Sequence, residues 1–136
     1  MSTKINILLI EDDADDIELL EEALRANKIA YSMEVIMDGD KVVRHLEALT
    51  SFPAVIVLDF NLPRVHGRDV LRLIKNSERY KHIPVIVLTT SAAKEDIDYS
   101  MKLGAAHFIT KPTSVEAFAH TVATIASTAK AHLHNV

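Results

Sequence analysis

The 136-residue chain has no cysteine and no tryptophan, only three glycines and four prolines, and aromatic residues at 5%. Without cysteine there are no disulfides, thiol nucleophiles or thiolate metal sites. Nor is there a long apolar run, since no stretch approaches the roughly 18 residues of a membrane span. The opening Met1-Ser2-Thr3-Lys4 leads straight into a run of strand length rather than a secretory leader, so the expected location is cytoplasmic. Positive charge is also in short supply. Fifteen bases against nineteen acids give a net charge of -4, which disfavours nonspecific nucleic-acid binding. What is present is ordinary for a globular core, with 49% hydrophobic and 25% charged residues. The length suits one domain spanning 1–136, with its core at about 5–130 and no repeat, low-complexity tract or linker.

Short apolar runs alternate with longer segments of helical period, the pattern of a parallel sheet built from βα units. Ile5 to Ile10, Ala54 to Leu58 and Val85 to Leu88 are nearly continuous aliphatic runs, as expected of central strands covered on both faces. Tyr31 to Met37 and Ala106 to Thr110 are more mixed and suit strands nearer the edges. Between them lie five helical stretches. Ile17, Leu20 and Leu24 mark the first, over residues 14 to 26; Val42, Val43 and Leu46 mark the second, capped by Asp38 or Asp40. Val70, Leu71 and Ile74 mark the third, and Ile97 and Met101 the fourth, which Gly104 closes. Val115, Phe118, Val122 and Ile125 mark the fifth, behind a Ser114 cap, leaving His132 and His134 in a frayed tail of about five residues. Five such units predict a doubly wound α/β fold, for which strand order 2-1-3-4-5 is one of two common solutions. In that order strands 1 and 3 are neighbours at the switch point, and ligands bind beyond their carboxyl ends.

The first strand ends in Glu11-Asp12-Asp13 and the third in Asp59. Carboxylates brought that close repel one another unless a cation joins them, and a hard divalent ion such as Mg²⁺ prefers oxygen donors. Eight of the nineteen acids fall within residues 11 to 22. A solvated, dipole-favoured first turn accounts for Asp13, Asp15, Asp16 and Glu18, but not for an isolated Asp59 behind five apolar residues. The fourth strand ends in Thr89-Thr90-Ser91 and the fifth in Thr110-Lys111-Pro112, placing a hydroxyl and an ammonium on the same sheet edge. Carboxylates for a metal, a separate carboxylate, a hydroxyl and a cation are the parts that phosphoryl transfer requires.

Over nearly its whole length the chain resembles the receiver domain of two-component response regulators, the CheY-like group of the flavodoxin-like fold. Glu11 and Asp12 match the family's acidic pair, Asp59 its phosphoacceptor, Thr89 its hydroxyl, and Lys111-Pro112 its Lys-Pro signature. The resemblance implies that Asp59 takes a phosphoryl group from a phosphohistidine on a sensor histidine kinase. It implies Mg²⁺ on Asp12, Asp59 and the Asn61 backbone carbonyl, with Glu11 acting through water. It further implies that Lys111 and Thr89 bind phosphoryl oxygens, that Phe108 is the aromatic switch, and that the peptide before Pro112 is cis. Asn61-Leu62-Pro63-Arg64, Gly67-Arg68 and Leu88-Thr89-Thr90-Ser91 resemble the single-domain regulators that partner bacterial phytochromes. Three positions depart from the common pattern: Glu11 is one methylene longer than Asp, Thr90 is bulkier than the frequent Ala, and Thr113 replaces a frequent Phe.

Output is then expected through phosphorylation-dependent protein contacts, with no membrane or nucleic-acid partner and a downstream target that the residues do not name. The small-residue face of the fifth helix, with helix 4 and strand 5, is the family's common homodimer surface. Arg64, Arg68 and Arg72 read as a solvated face, with Asp69 and Glu78 interspersed. An aspartyl-phosphate phosphohydrolase would carry a second Asp two residues after the nucleophile, where Asn61 stands. A flavin-binding flavodoxin would not place acids in the loop after strand 1. A phosphorylation-independent pseudo-receiver would not need the full set of Glu11, Asp12, Asp59, Thr89 and Lys111.

Overall fold

A computed structural model describes residues 4–134; the opening Met1-Ser2-Thr3 and the closing Asn135 and Val136 lie outside the described residues. Five strands, β1 (Ile5–Ile10), β2 (Tyr31–Ile36), β3 (Val55–Leu58), β4 (Val85–Thr89) and β5 (His107–Thr110), form one parallel sheet in the order 2-1-3-4-5. Five helices separate them: α1 (Ala14–Ala26), α2 (Val42–Glu47), α3 (Gly67–Lys75), α4 (Lys94–Lys102) and α5 (Phe118–His134).

Side chains alternate across a strand, so the unbroken apolar runs feed two cores. On β3, Val55 and Val57 face α1 and α5 and pack with Leu20, Leu24, Phe118, Val122 and Ile125. Ile56 and Leu58 face the other side and pack with Leu46, Val70, Leu71 and Ile74 of α2 and α3. Each fully buried aliphatic side chain contributes about 1.5–3 kcal/mol, so β1, β3 and β4 are held from both faces.

Helix starts follow the polar caps. Asp13 accepts from the Asp15 and Asp16 amides at 2.9 and 3.2 Å, fixing the first turn of α1 directly after β1. Asp38 caps a 3₁₀ turn, Gly39–Lys41, that runs into α2. Gly104 sits at φ +95, just past α4, where a left-handed residue closes the helix.

Three sequence expectations are corrected. On α4 the inward positions are Asp96 and Ser100; Ile97 is half-buried and Met101 is 48% exposed. The reason is polar: Ser100 Oγ donates to the Asp96 carbonyl at 2.7 Å, and Ser91 Oγ to the Asp96 carboxylate at 2.6 Å, so a hydrogen-bonded pair occupies the place of an apolar stripe. On α2, Val43 is exposed, because a six-residue helix turns only Val42 and Leu46 inward. The C-terminal histidines are not frayed. Ser114 Oγ accepts from the Ala117 amide at 3.1 Å in a turn that precedes α5, and the helix continues to His134. Its last turns carry the His132 ring to 5.9 Å from that of His82.

Candidate functional site

The sheet register brings the predicted strand ends level. The Asp59 amide donates to the Ile10 carbonyl at 3.0 Å, and the Lys111 amide to the Thr89 carbonyl at 2.8 Å. Glu11, Asp59 and Lys111 therefore emerge side by side at the carboxyl edge, where Asp59 and Lys111 line a shallow pocket with Asp12, Asp16, Asn61 and Thr90.

The Lys111 ammonium is the centre of this arrangement. It lies 2.6 Å from Glu11 Oε1, 2.7 Å from Asp16 Oδ2 and 2.9 Å from Asp59 Oδ2. Its side chain is 7% exposed, and those of Glu11 and Asp59 are each 4% exposed. Charges this buried are tolerated only when paired and hydrogen-bonded. Burial disfavours the Glu11 carboxylate and, despite the bond from Lys111, raises its pKa to about 7. Burial acts the same way on Asp59, but bonds from Lys111 and from the Asn61 amide outweigh it and hold this carboxyl below its usual range. For Lys111, burial opposes the charge, and the bonds to Asp16, Glu11 and Asp59 more than offset it, so its pKa rises. Asp59 is thus the ionised carboxylate of the pair, the state a nucleophile needs.

Carboxylate oxygens of Glu11, Asp12 and Asp59 lie within 4.8 Å of one another. This is a hard, oxygen-only donor set of net negative charge, which fits Mg²⁺ and not a thiophilic metal.

The hydroxyl is also in place. Thr89 is fully buried, and its Oγ1 accepts from the Asn61 side-chain amide and from the Ser91 amide, each at 3.4 Å. Asn61 Nδ2 donates to exposed Thr90 as well, at 3.0 Å, so the bulk noted at Thr90 stands at the rim. Phe108 is half-buried, edge-on to Phe60 with ring centroids 6.1 Å apart.

The peptide preceding Pro112 differs from expectation: it is trans, as is every described peptide bond. Trans is the ordinary isomer of an X-Pro bond by about 0.5–1 kcal/mol, and with it Lys111 reaches all three carboxylates.

Asp16 was expected in a solvated helical turn, yet it binds Lys111, 95 residues away in sequence. Among Asp13, Asp15 and Glu18 nothing local in the sequence distinguishes it from a solvated acid. Asp96 is the other polar residue whose burial a stripe of apolar positions hides. It pairs with Arg68 of α3 at 3.2 Å, tying α3 to α4. Arg64 pairs with Asp38 and Asp40, and Arg72 with Asp69, so the arginines of this face are matched by acids.

A paired carboxylate pocket, a buried hydroxyl and a saturated ammonium at the carboxyl edge of a 2-1-3-4-5 sheet define a CheY-like receiver of two-component signalling. Comparison with known proteins gives the same class: the response regulator receiver domain description matches residues 7–123, and the chain belongs to that family. Response regulator Rcp1 of Synechocystis is 35% identical over 115 residues, covering 81% of this chain and 78% of that protein. The Mn²⁺-bound form of Rcp1 superposes with a TM-score of 0.79 at 33% identity, over 89% of this chain and 91% of that one. The phosphorylated cyanobacterial phytochrome response regulator RcpA gives 0.81 at 35% identity, over 90% and 91% of the two chains. The chain is a response regulator receiver similar to those of phytochromes. Glu11, Asp12 and Asp59 form the acidic pocket typical of the receiver metal site. Among the described residues no helix is long and apolar enough to cross a membrane.

Proposed function

We propose that the chain is a phosphorylation switch, a single receiver over 1–136, in which Asp59 is the phosphoacceptor. The observation that carries this reading is the contact between ionised Asp59 and the Lys111 ammonium inside a carboxylate pocket. An Asp59 carboxylate oxygen bonds to phosphorus as the P–N bond to the kinase histidine breaks. The electron pair leaves with the imidazole, which takes up a proton, and Asp59 becomes an acyl phosphate. Lys111 stays charged throughout and pairs with a phosphoryl oxygen. Asp12, Asp59 and the Asn61 carbonyl would hold Mg²⁺, with Glu11 acting through water, and the ion would supply charge neutralisation at the phosphoryl oxygens.

Thr89 supplies the readout. Its hydroxyl rotates from its Asn61 and Ser91 contacts toward the phosphoryl group, and the half-buried Phe108 turns further inward. Transfer and dephosphorylation are catalysed by the receiver itself. The donor is a sensor histidine kinase of phytochrome type, the location cytoplasmic, and the output a changed protein contact. Exposed Met101 and the β5 edge support a homodimer through α4, β5 and α5.

The test is phosphate incorporation from a small phosphodonor with Mg²⁺, read by intact mass. The wild type gains one phosphoryl group and Asp59→Asn gains none. Equal incorporation in the variant would refute the assignment, and multiple turnover on phosphate esters would favour a phosphohydrolase.

A further inference from the structure

The Lys111 ammonium meets three carboxylates: it donates hydrogen bonds to Asp16 and Asp59 and is ion-paired with Glu11. Two of the three, Glu11 and Asp59, belong to the group whose oxygens lie within 4.8 Å of one another with Asp12; Asp16 does not. Asp59 is also the atom group that changes when a phosphoryl group is attached. A cation held by the clustered carboxylates, or a phosphoryl group on Asp59, would compete with Lys111 for Glu11 and Asp59, whereas Asp16 lies outside that cluster.

The sequence holds Asp16 rigidly for this task. The Asp13 carboxylate accepts the Asp16 amide at 3.2 Å, so the first turn of α1 is locked to the end of β1. From that turn the Asp16 side chain, 30% exposed, reaches Lys111 at 2.7 Å. Asp15, one residue earlier, carries the same charge in the same turn but points to solvent and makes no contact with Lys111.

We propose that Asp16 is a positioning residue for Lys111: its carboxylate anchors the ammonium on the α1 side of the pocket, so that it remains beside Asp59 during phosphoryl transfer. This rests on Asp59 being the phosphoacceptor. The covalent step is unchanged by it: the Asp59 oxygen bonds to phosphorus, the donor's leaving group departs with the electron pair, and no proton moves through Asp16. Without the anchoring charge the ammonium is no longer held on the α1 side of the pocket.

The experiment compares Asp16→Asn, Asp16→Glu and Asp15→Asn with the wild type. Phosphorylation by acetyl phosphate is followed over a Mg²⁺ titration, and the Lys111 ammonium is observed by side-chain NMR. Asp16→Asn is expected to lower the maximal rate at saturating Mg²⁺ by roughly tenfold and to lose the slowly exchanging ammonium signal. Asp16→Glu keeps the charge and restores most of both, and Asp15→Asn leaves both intact. Equal behaviour of Asp16→Asn and Asp15→Asn overturns the proposal, as does full recovery of Asp16→Asn at high Mg²⁺, which would make Asp16 only an attractor of the cation. A wild type that takes up no phosphoryl group would instead refute the phosphoacceptor reading, while the ammonium signal would still report on the anchor.

Discussion

Gly67→Ala is expected to cost at least about 3 kcal/mol, the upper end for overpacking, and to slow phosphorylation of whatever still folds. A Cβ at Gly67 would stand 2.3 Å from Phe60 Cα, 2.6 Å from the Asp59 carbonyl oxygen and 2.7 Å from Phe60 Cδ1. Two of those atoms are backbone and cannot rotate away. Gly67 also donates its amide to the Phe60 carbonyl at 2.9 Å, closing the loop that follows β3. The added methyl must push α3 off this loop or move the segment that carries Asp59, so stability and chemistry suffer together. Against a typical stability of about 5–15 kcal/mol, that is a large share. Gly104 is the control. Its φ of +95 is unfavourable for Ala but nothing lies within 4 Å, so Gly104→Ala should cost only about 1–2 kcal/mol of backbone strain. Urea titrations of both variants decide the matter. If Gly67→Ala proves no worse than Gly104→Ala, the close approach of α3 to the Asp59–Phe60 segment is wrong.

The contrast between the two glycines also shows what the chain reveals before it is folded. Gly104, after a helical stretch, is readable as a terminator from local chemistry alone. Gly67 is not, because its requirement comes from backbone seven residues away that only the tertiary fold brings near. The same division runs through the site. Glu11, Asp12, Asp59, Thr89 and Lys111 each follow an apolar run, so a parallel sheet places them on one edge, and the structure brings them together as that pattern implies. Asp16 and Asp96 sit inside helices amid other polar residues, where a periodicity argument finds only a solvated face. Their burial depends on partners far along the chain: Lys111 for the first, Arg68 for the second. The α4 face fails for this reason, since hydrogen-bonded Asp96 and Ser100 satisfy inward positions as well as an apolar pair would.

Lys111→Met should be the most damaging single change within the pocket, and its cost should depend on pH. Removing one partner from a buried ion cluster typically costs about 3–5 kcal/mol, because the remaining charges stay unpaired. Here the charges left are Glu11 and Asp59, both almost fully buried. In the wild type, Glu11 has a folded pKa raised from 4.5 to about 7. A raised carboxyl contributes stability that is complete below its unfolded pKa and lost as pH climbs through the folded one. Asp59, whose pKa is lowered, acts the other way but only under acid conditions, below its ordinary 3.8. Lys111, whose pKa is raised, loses its contribution only above 10.5. Between about pH 5 and 8 the pocket's own slope is therefore that of Glu11, and metal-free wild type should lose stability as pH rises, a slope that Glu11→Gln removes. In Lys111→Met neither carboxylate has a cation, protonation becomes the only relief, and the decline should be steeper. Mg²⁺ then provides a second check. A ligand that binds only the folded state stabilises it by mass action, and in the variant the ion meets no competing ammonium. Urea midpoints at pH 5, 6.5 and 8, with EDTA or with Mg²⁺, should show a larger gain from Mg²⁺ in Lys111→Met than in the wild type, greatest at pH 8. A loss that is flat with pH and indifferent to Mg²⁺ would mean that Lys111 holds the fold by packing its stem rather than by pairing its charge.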